Sequence, residues 1–152
     1  AKGVYQQSSD FIKIAFDGTP PKAKAVWITK STRPQVEEIL AHKFSGLRIR
    51  YWGAEKKTVW VLDEIGKDHP ITVGIVINQH HITQIKVLEF RESRGDEVRH
   101  PFFTDQFSGI SLTPDNHLNK SIDGISGATL SVRALTKIGR LALYLHSLTP
   151  FS

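Results

Sequence analysis

The sequence predicts an α+β fold: an antiparallel twisted sheet with packed helices, ending in a long C-terminal helix. Two patterns carry this. From Leu47 to Arg91, short runs alternate apolar and polar residues and are separated by turn-forming residues, as in half-buried strands joined by hairpins. From about Ala128 to His146, Val132, Leu135, Ile138, Ala142 and Leu145 recur at helical spacing.

Each element follows in order. Phe11, Ile12, Ile14, Ala15 and Phe16 fit a short amphipathic helix or a strand, and Gly18-Thr19-Pro20-Pro21 breaks the chain after them. Ala23–Thr29 reads as a short strand. Ser31 or Thr32 is expected to cap a helix with Pro34 in its first turn and Glu37 and Glu38 near its positive end. Val36, Ile39, Leu40 and Phe44 form its apolar face, and Gly46 is its expected end. Leu47, Ile49 and Tyr51 alternate with Arg48, Arg50 and Trp52, and Arg48 and Arg50 read as a solvated strand face. A turn at Gly53-Ala54-Glu55 leads to a strand over Lys57–Ile65. After a break at Gly66–Pro70, Ile71–Asn78 and Ile82–Arg91 form a hairpin turning at Asn78–His81. Glu92–Lys120 reads as a polar loop with an aromatic patch at Phe102, Phe103 and Phe107. On the last helix, Arg133, Lys137 and Arg140 lie opposite the apolar face. Gly139 weakens that helix by about 1 kcal/mol relative to Ala, so close packing is expected there.

Length and composition bound the function. One domain spanning residues 1–152 is expected. Hydrophobic residues at 39% and charged residues at 23% exclude a disordered chain. The chain has no Cys and no Met. Disulfides, thiol nucleophiles, Cys-ligated zinc, iron–sulfur clusters and Met-ligated haem are therefore excluded. The net charge is +5. Split at residue 76 the excess looks mild and spread out, so no nucleic-acid partner is expected. No apolar run approaches the ~18–20 residues of a membrane span. The chain starts at Ala1 rather than Met, which suggests a removed initiator, tag, signal or anchor. The seven histidines show no metal-ligand spacing, and the adjacent pair His80-His81 would point apart. No Gly-rich nucleotide loop and no nucleophile elbow occur.

The informative segment is Asp123-Gly124-Ile125-Ser126-Gly127-Ala128-Thr129. It is a small-residue loop opening into a long helix. A helix N-terminus offers unpaired N–H donors and partial positive charge, which suit a phosphate. Gly124 and Gly127 allow close backbone approach, Thr129 supplies a hydroxyl, and Arg133 follows one turn on. Equally, Ser126 or Thr129 would serve as an ordinary helix cap.

Asp-x-x-Ser-Gly-Ala-Thr, complete here as Asp123, Ser126, Gly127, Ala128 and Thr129, resembles the flavinylation motif of the FMN-binding domain family. That family includes the flavin-carrying subunits of sodium-pumping NADH:quinone oxidoreductase and of Rnf-type complexes. The resemblance covers roughly residues 70–146, and more loosely the first half. It includes the preceding hairpin and Gln106-Phe107-Ser108-Gly109, which resembles the family's Phe-x-x-Gly element. Many members carry Glu-Thr-Pro-Gly-Leu-Gly after the hairpin. Here the segment is Glu92-Ser93-Arg94-Gly95-Asp96-Glu97, which keeps the Gly but loses the Pro and suggests a divergent branch.

The resemblance implies FMN joined through a phosphodiester to Thr129 by an FAD:protein FMN transferase, with FAD as donor. Asp123, Gly124, Ser126, Gly127, Ala128 and Arg133 would seat the phosphate or serve in recognition, and Glu92 and Phe107 would complete the cofactor site. The implied role is an electron carrier rather than a stand-alone enzyme. Its partners would be redox proteins or a membrane electron-transport complex, at the periplasmic or outer face of the bacterial cytoplasmic membrane. The alternative is a module that binds FMN or another phosphate ligand non-covalently, without redox turnover.

Overall fold

The computed structural model describes residues 2–152, so Ala1 lies outside the described residues. The elements are β1 (Gly3–Val4), α1 (Ser8–Ala15), β2 (Lys24–Trp27), α2 (Arg33–Leu40), β3 (Arg48–Ala54), β4 (Lys57–Ile65), β5 (Pro70–Asn78), β6 (His81–Phe90), α3 (Pro101–Thr104) and α4 (Thr129–Ser147). Single 3-10 turns at Asp96–Arg99 and Asp105–Phe107 flank α3. The six strands form one antiparallel sheet in the order β1-β6-β5-β4-β3-β2. The fold is α+β, as the sequence predicts.

Alternation along the strands sends Trp60, Leu62, Val73, Ile75, Ile85 and Val87 to one face. There α2 and α4 cover them with Val36, Ile39, Leu135, Ile138 and Leu145. The opposite face carries Val59, Val76 and Leu88, covered by Phe11 and Ile12 of α1. The helix option for residues 8–15 therefore holds, although Ile14 is solvent-exposed. Gly139 packs as expected: a Cβ there would lie 3.3 Å from the Phe107 ring.

Several local expectations are corrected. Thr32 is the N-cap of α2, but its hydroxyl does not cap the helix; it accepts the Thr29 N–H at 2.9 Å instead. The helix ends at Leu40 because Ala41 turns left-handed at φ 60°, so Phe44 and Gly46 lie beyond it. The β3–β4 turn is Glu55-Lys56, and Gly53 is a strand residue. The β5–β6 turn is only Gln79-His80, both at positive φ, which matches the twist of the flanking strands. Residues 92–120 are not all loop, since α3 and the two 3-10 turns lie within them. Lys137 and Arg140 are not free on the outer side of α4. Lys137 pairs with the buried Glu64 at 3.5 Å, and Arg140 donates to the Asn116 carbonyl.

At the far end of α4, His146 is fully buried. The Trp60 indole N–H donates to the Thr58 hydroxyl at 2.8 Å, which leaves the Thr58 proton for His146 Nδ1 at 2.6 Å. That arrangement needs a neutral imidazole. Burial first, and then the neighbouring His80, pushes the His146 pKa down to about 4 from an ordinary 6.5. The unfolded chain then binds a proton between those values that the folded chain does not. Stability is present in full above pH 6.5 and falls as the pH drops toward 4, by on the order of 3 kcal/mol. Urea unfolding at pH 7 and at pH 4.5 checks this: His146→Gln should show a smaller loss between the two pH values than the native chain.

Candidate functional site

The strands fix one end of the sheet as the site. β4 ends and β5 begins there, and β6 ends beside the start of α4. Between them lies a cavity of about 570 Å³, walled by Lys67 and His69 of the β4–β5 turn, Arg91, Glu92 and Arg94 after β6, and Thr129 at the head of α4. That volume falls within the ~300–1,000 Å³ of small-molecule pockets.

α4 begins with Ala128 as N-cap and no side-chain cap. Neither Ser126 nor Thr129 therefore caps the helix, and the first-turn N–H groups lack a side-chain acceptor. Thr129 is exposed, and among the described residues its hydroxyl has no hydrogen-bond partner. Gly127 sits at φ 83°, a conformation L side chains rarely adopt. A Cβ at Gly124 or Gly127 would meet nothing within 4 Å, so both face open space.

The structure divides the expected site residues. Gly127, Ala128, Thr129 and Glu92 line the cavity. Asp123, Gly124 and Ser126 lie on the exposed approach to it, and Arg133 is exposed one turn into α4; none of these four lines the wall. Phe107 is corrected. It is fully buried beneath α4, edge-to-face with Phe103 at 5.7 Å and in contact with Gly139. It is a core residue because its 3-10 turn directs it inward, and it does not reach the cavity. Of the other two aromatics of that patch, Phe103 is buried and Phe102 exposed.

Other residues at the site carry weaker sequence signals. The Gln106 side chain holds both backbone groups of Asp123, accepting its N–H at 2.8 Å and donating to its carbonyl at 3.2 Å. This ties Gln106-Phe107-Ser108-Gly109 physically to the motif. Gly95 sits at φ 94°, and a Cβ there would clash with the Ser131 hydroxyl, so the glycine lets the post-hairpin turn lie against α4. Lys67, His69, Arg91 and Arg94 come from turns about 60 residues before Thr129 or 35 residues before it. The break at Gly66–Pro70 marked the first of those turns.

Glu92 has a defined task. Its carboxylate is 10% exposed and accepts the backbone N–H groups of Lys67 at 3.0 Å, of Asp68, and of His69 at 2.9 Å. Burial pushes its carboxyl up, but the three N–H donors and His69 outweigh it and hold the pKa below the ordinary 4.5. The depressed pKa makes its contribution present above pH 4.5 and lost as the pH falls through the folded value. Glu92→Gln should therefore lower the urea midpoint at pH 7, and the gap to the native chain should shrink at pH 3. A gap of constant size would show that the charge does not hold the turn. Arg91 is also engaged, donating to the Pro70 carbonyl at 2.6 Å and pairing with Glu89 at 3.0 Å. Lys67 and Arg94 have no ion pair among the described residues.

Comparison with curated proteins and with solved structures gives no match. A family profile does match: that of the FMN-binding domain, over residues 66–144. The matched segment runs from the β4–β5 turn through the hairpin and the motif loop to most of α4, and so includes every wall of the cavity except Lys2. The cavity, the uncapped helix and the free cations fit a flavin phosphate, and the chain belongs to the FMN-binding domain family.

Proposed function

We propose that this FMN-binding domain carries its flavin covalently, through a phosphodiester on Thr129, and works as an electron carrier. The observation that carries the reading is the Thr129 hydroxyl, exposed and without a partner, at an uncapped helix N-terminus on the cavity wall. A threonine hydroxyl is a weak nucleophile without a base. Among the described residues no His, Asp or Glu side chain bonds it, which favours attachment by a separate FAD:protein FMN transferase.

In that reaction Thr129 Oγ forms a bond to the flavin-side phosphorus of FAD and the pyrophosphate bond breaks. AMP leaves and the hydroxyl proton is released. The chain gains FMN less one water. The remaining phosphodiester charge would sit against the first-turn N–H groups of α4, with Lys67 and Arg94 on the wall and Arg133 one turn on. Bound flavin supplies one- and two-electron chemistry. The protein's part is to hold the phosphate, close one side of the cavity with the turn that Glu92 ties, and keep cations near developing negative charge. Redox proteins or a membrane electron-transport complex are the proposed partners, at the periplasmic or outer face of the bacterial cytoplasmic membrane. No helix of the described residues is long and apolar enough to cross a membrane.

Co-expression with an active flavin transferase tests the reading. After denaturation, intact mass and in-gel fluorescence should show one FMN less water per chain. An unmodified chain beside a modified control substrate overturns covalent attachment, and reversible FMN binding by that chain would establish the non-covalent module instead.

A further inference from the structure

The chain's positive charge is not spread out. Residues 22–50 hold seven Lys or Arg and two Asp or Glu, which is the whole +5, while the remaining residues carry thirteen of each sign. This corrects the impression left by dividing the sequence at its midpoint. The segment lies outside the matched residues 66–144, and none of its residues lines the cavity.

The sheet brings this segment to the end that bears the cavity. Trp27, the last residue of β2, pairs with Arg48, the first of β3, and β3 runs antiparallel to β4; in the β2–β3 connection His42 bonds Glu64 near the end of β4 at 3.0 Å. Lys30 and Lys43 lie in the connection between those two strands, both exposed. Ala25 pairs with Arg50, so Trp27, Arg48 and Arg50 share the outer face. The Arg48 guanidinium lies 5.6 Å from the centre of the Trp27 ring. Arg33 alone is turned inward, donating to the Ile28, Phe44 and Gly46 carbonyls. Lys30, Lys43, Arg48 and Arg50 have no ion pair among the described residues.

The same end displays large apolar side chains in water. Trp27, Leu47, Ile65 and Leu130 are each between 40% and 68% exposed. They stand on four different segments: β2, the residue just before β3, the end of β4 and the first turn of α4. Each has a cation close in sequence or space. Arg48 serves Trp27 and Leu47, Lys67 follows Ile65, and Lys67 and Arg94 share the cavity wall with Leu130.

We propose that this end of the sheet docks onto an anionic lipid surface. A protein interface gathers its apolar residues into one buried centre. Here apolar tips on separate elements are interspersed with unpaired cations. That is the arrangement that inserts Trp and Leu at the level of the headgroups while Lys and Arg meet the lipid charge. The docking does not depend on the flavin. It would set the cavity mouth near the bilayer surface, because three strand spacings, ~15 Å, separate β2 from β5.

Sedimentation with vesicles tests it, using the chain without flavin. The probes are phosphatidylcholine vesicles with and without ~30% phosphatidylglycerol, a charge density in the range of anionic leaflets. Binding should require phosphatidylglycerol, weaken with salt and blue-shift the tryptophan emission. Lys30→Glu with Lys43→Glu should lower partitioning at least about tenfold. Lys13→Glu with Lys56→Glu, which changes net charge equally away from this end, should leave it within about twofold. Trp27→Phe should remove most of the blue shift. Absence of phosphatidylglycerol-dependent binding overturns the proposal. So does an equal loss in the two double variants, or a blue shift independent of Trp27. Failure on vesicles with salt-sensitive capture by an acidic redox protein would overturn it in favour of a protein partner.

Discussion

Thr129→Ala should abolish covalent flavin, from one FMN per chain to none, in cells holding an active transferase. The side chain is exposed at the first position of α4 and bonds to nothing among the described residues. Alanine is the better helix former, so stability should change by no more than about 0.5 kcal/mol. Loss of the adduct would thus report chemistry rather than unfolding. Thr129→Ser keeps a hydroxyl at the same place and should retain modification at a reduced rate. In-gel fluorescence and intact mass read both variants. An adduct surviving Thr129→Ala would move the attachment to another residue, and Ser126, the residue just before the cavity wall begins at Gly127, would be examined next.

The second large effect is on stability. Phe107→Ala should destabilise the fold by about 3–5 kcal/mol, the usual range for removing a buried phenyl ring. At 2–4 °C per kcal/mol for a chain of this size, Tm should fall by roughly 6–20 °C. The ring is fully buried, meets Phe103 edge-to-face and fills the space left by Gly139. Folded molecules of the variant should still accept flavin at low temperature, with an unchanged absorption spectrum. A small stability loss with a shifted flavin spectrum would instead place the ring at the cofactor.

These two residues show where sequence was informative. The place of Thr129 at the head of α4 was legible because it depends on a local pattern, a small-residue loop running into an amphipathic helix, and that pattern is contiguous. The strands from β3 to β6 were legible for the same reason. Phe107 was misread because an aromatic near a motif has the same sequence signature whether it faces a ligand or the core; only the 3-10 turn at Asp105–Phe107 decides it. The cavity walls at Lys67–His69 and Arg91–Gly95 were not legible as a site, since β5 and β6 must pair before the ends of the hairpin meet α4. The charge of residues 22–50 was averaged away by a split at residue 76, because both counts ran across several elements. The register that sets Trp27 beside Arg48 is what gathers it at one edge.

The Gln106 clamp on Asp123 has a consequence for how an enzyme reaches its acceptor. From Asp123 to Gly127 the chain is mostly exposed, hung at its start from one side-chain amide, pinned midway by Ile125 against the core, and held before the helix by the Ala128 N–H to Ile125 carbonyl bond at 3.0 Å. Segments with so few anchors open at a small fraction of the free energy of global unfolding. If Thr129 is modified as proposed, a transferase would need to free only this loop from its few anchors, while the sheet and the rest of α4 stay folded and receive the modified loop again.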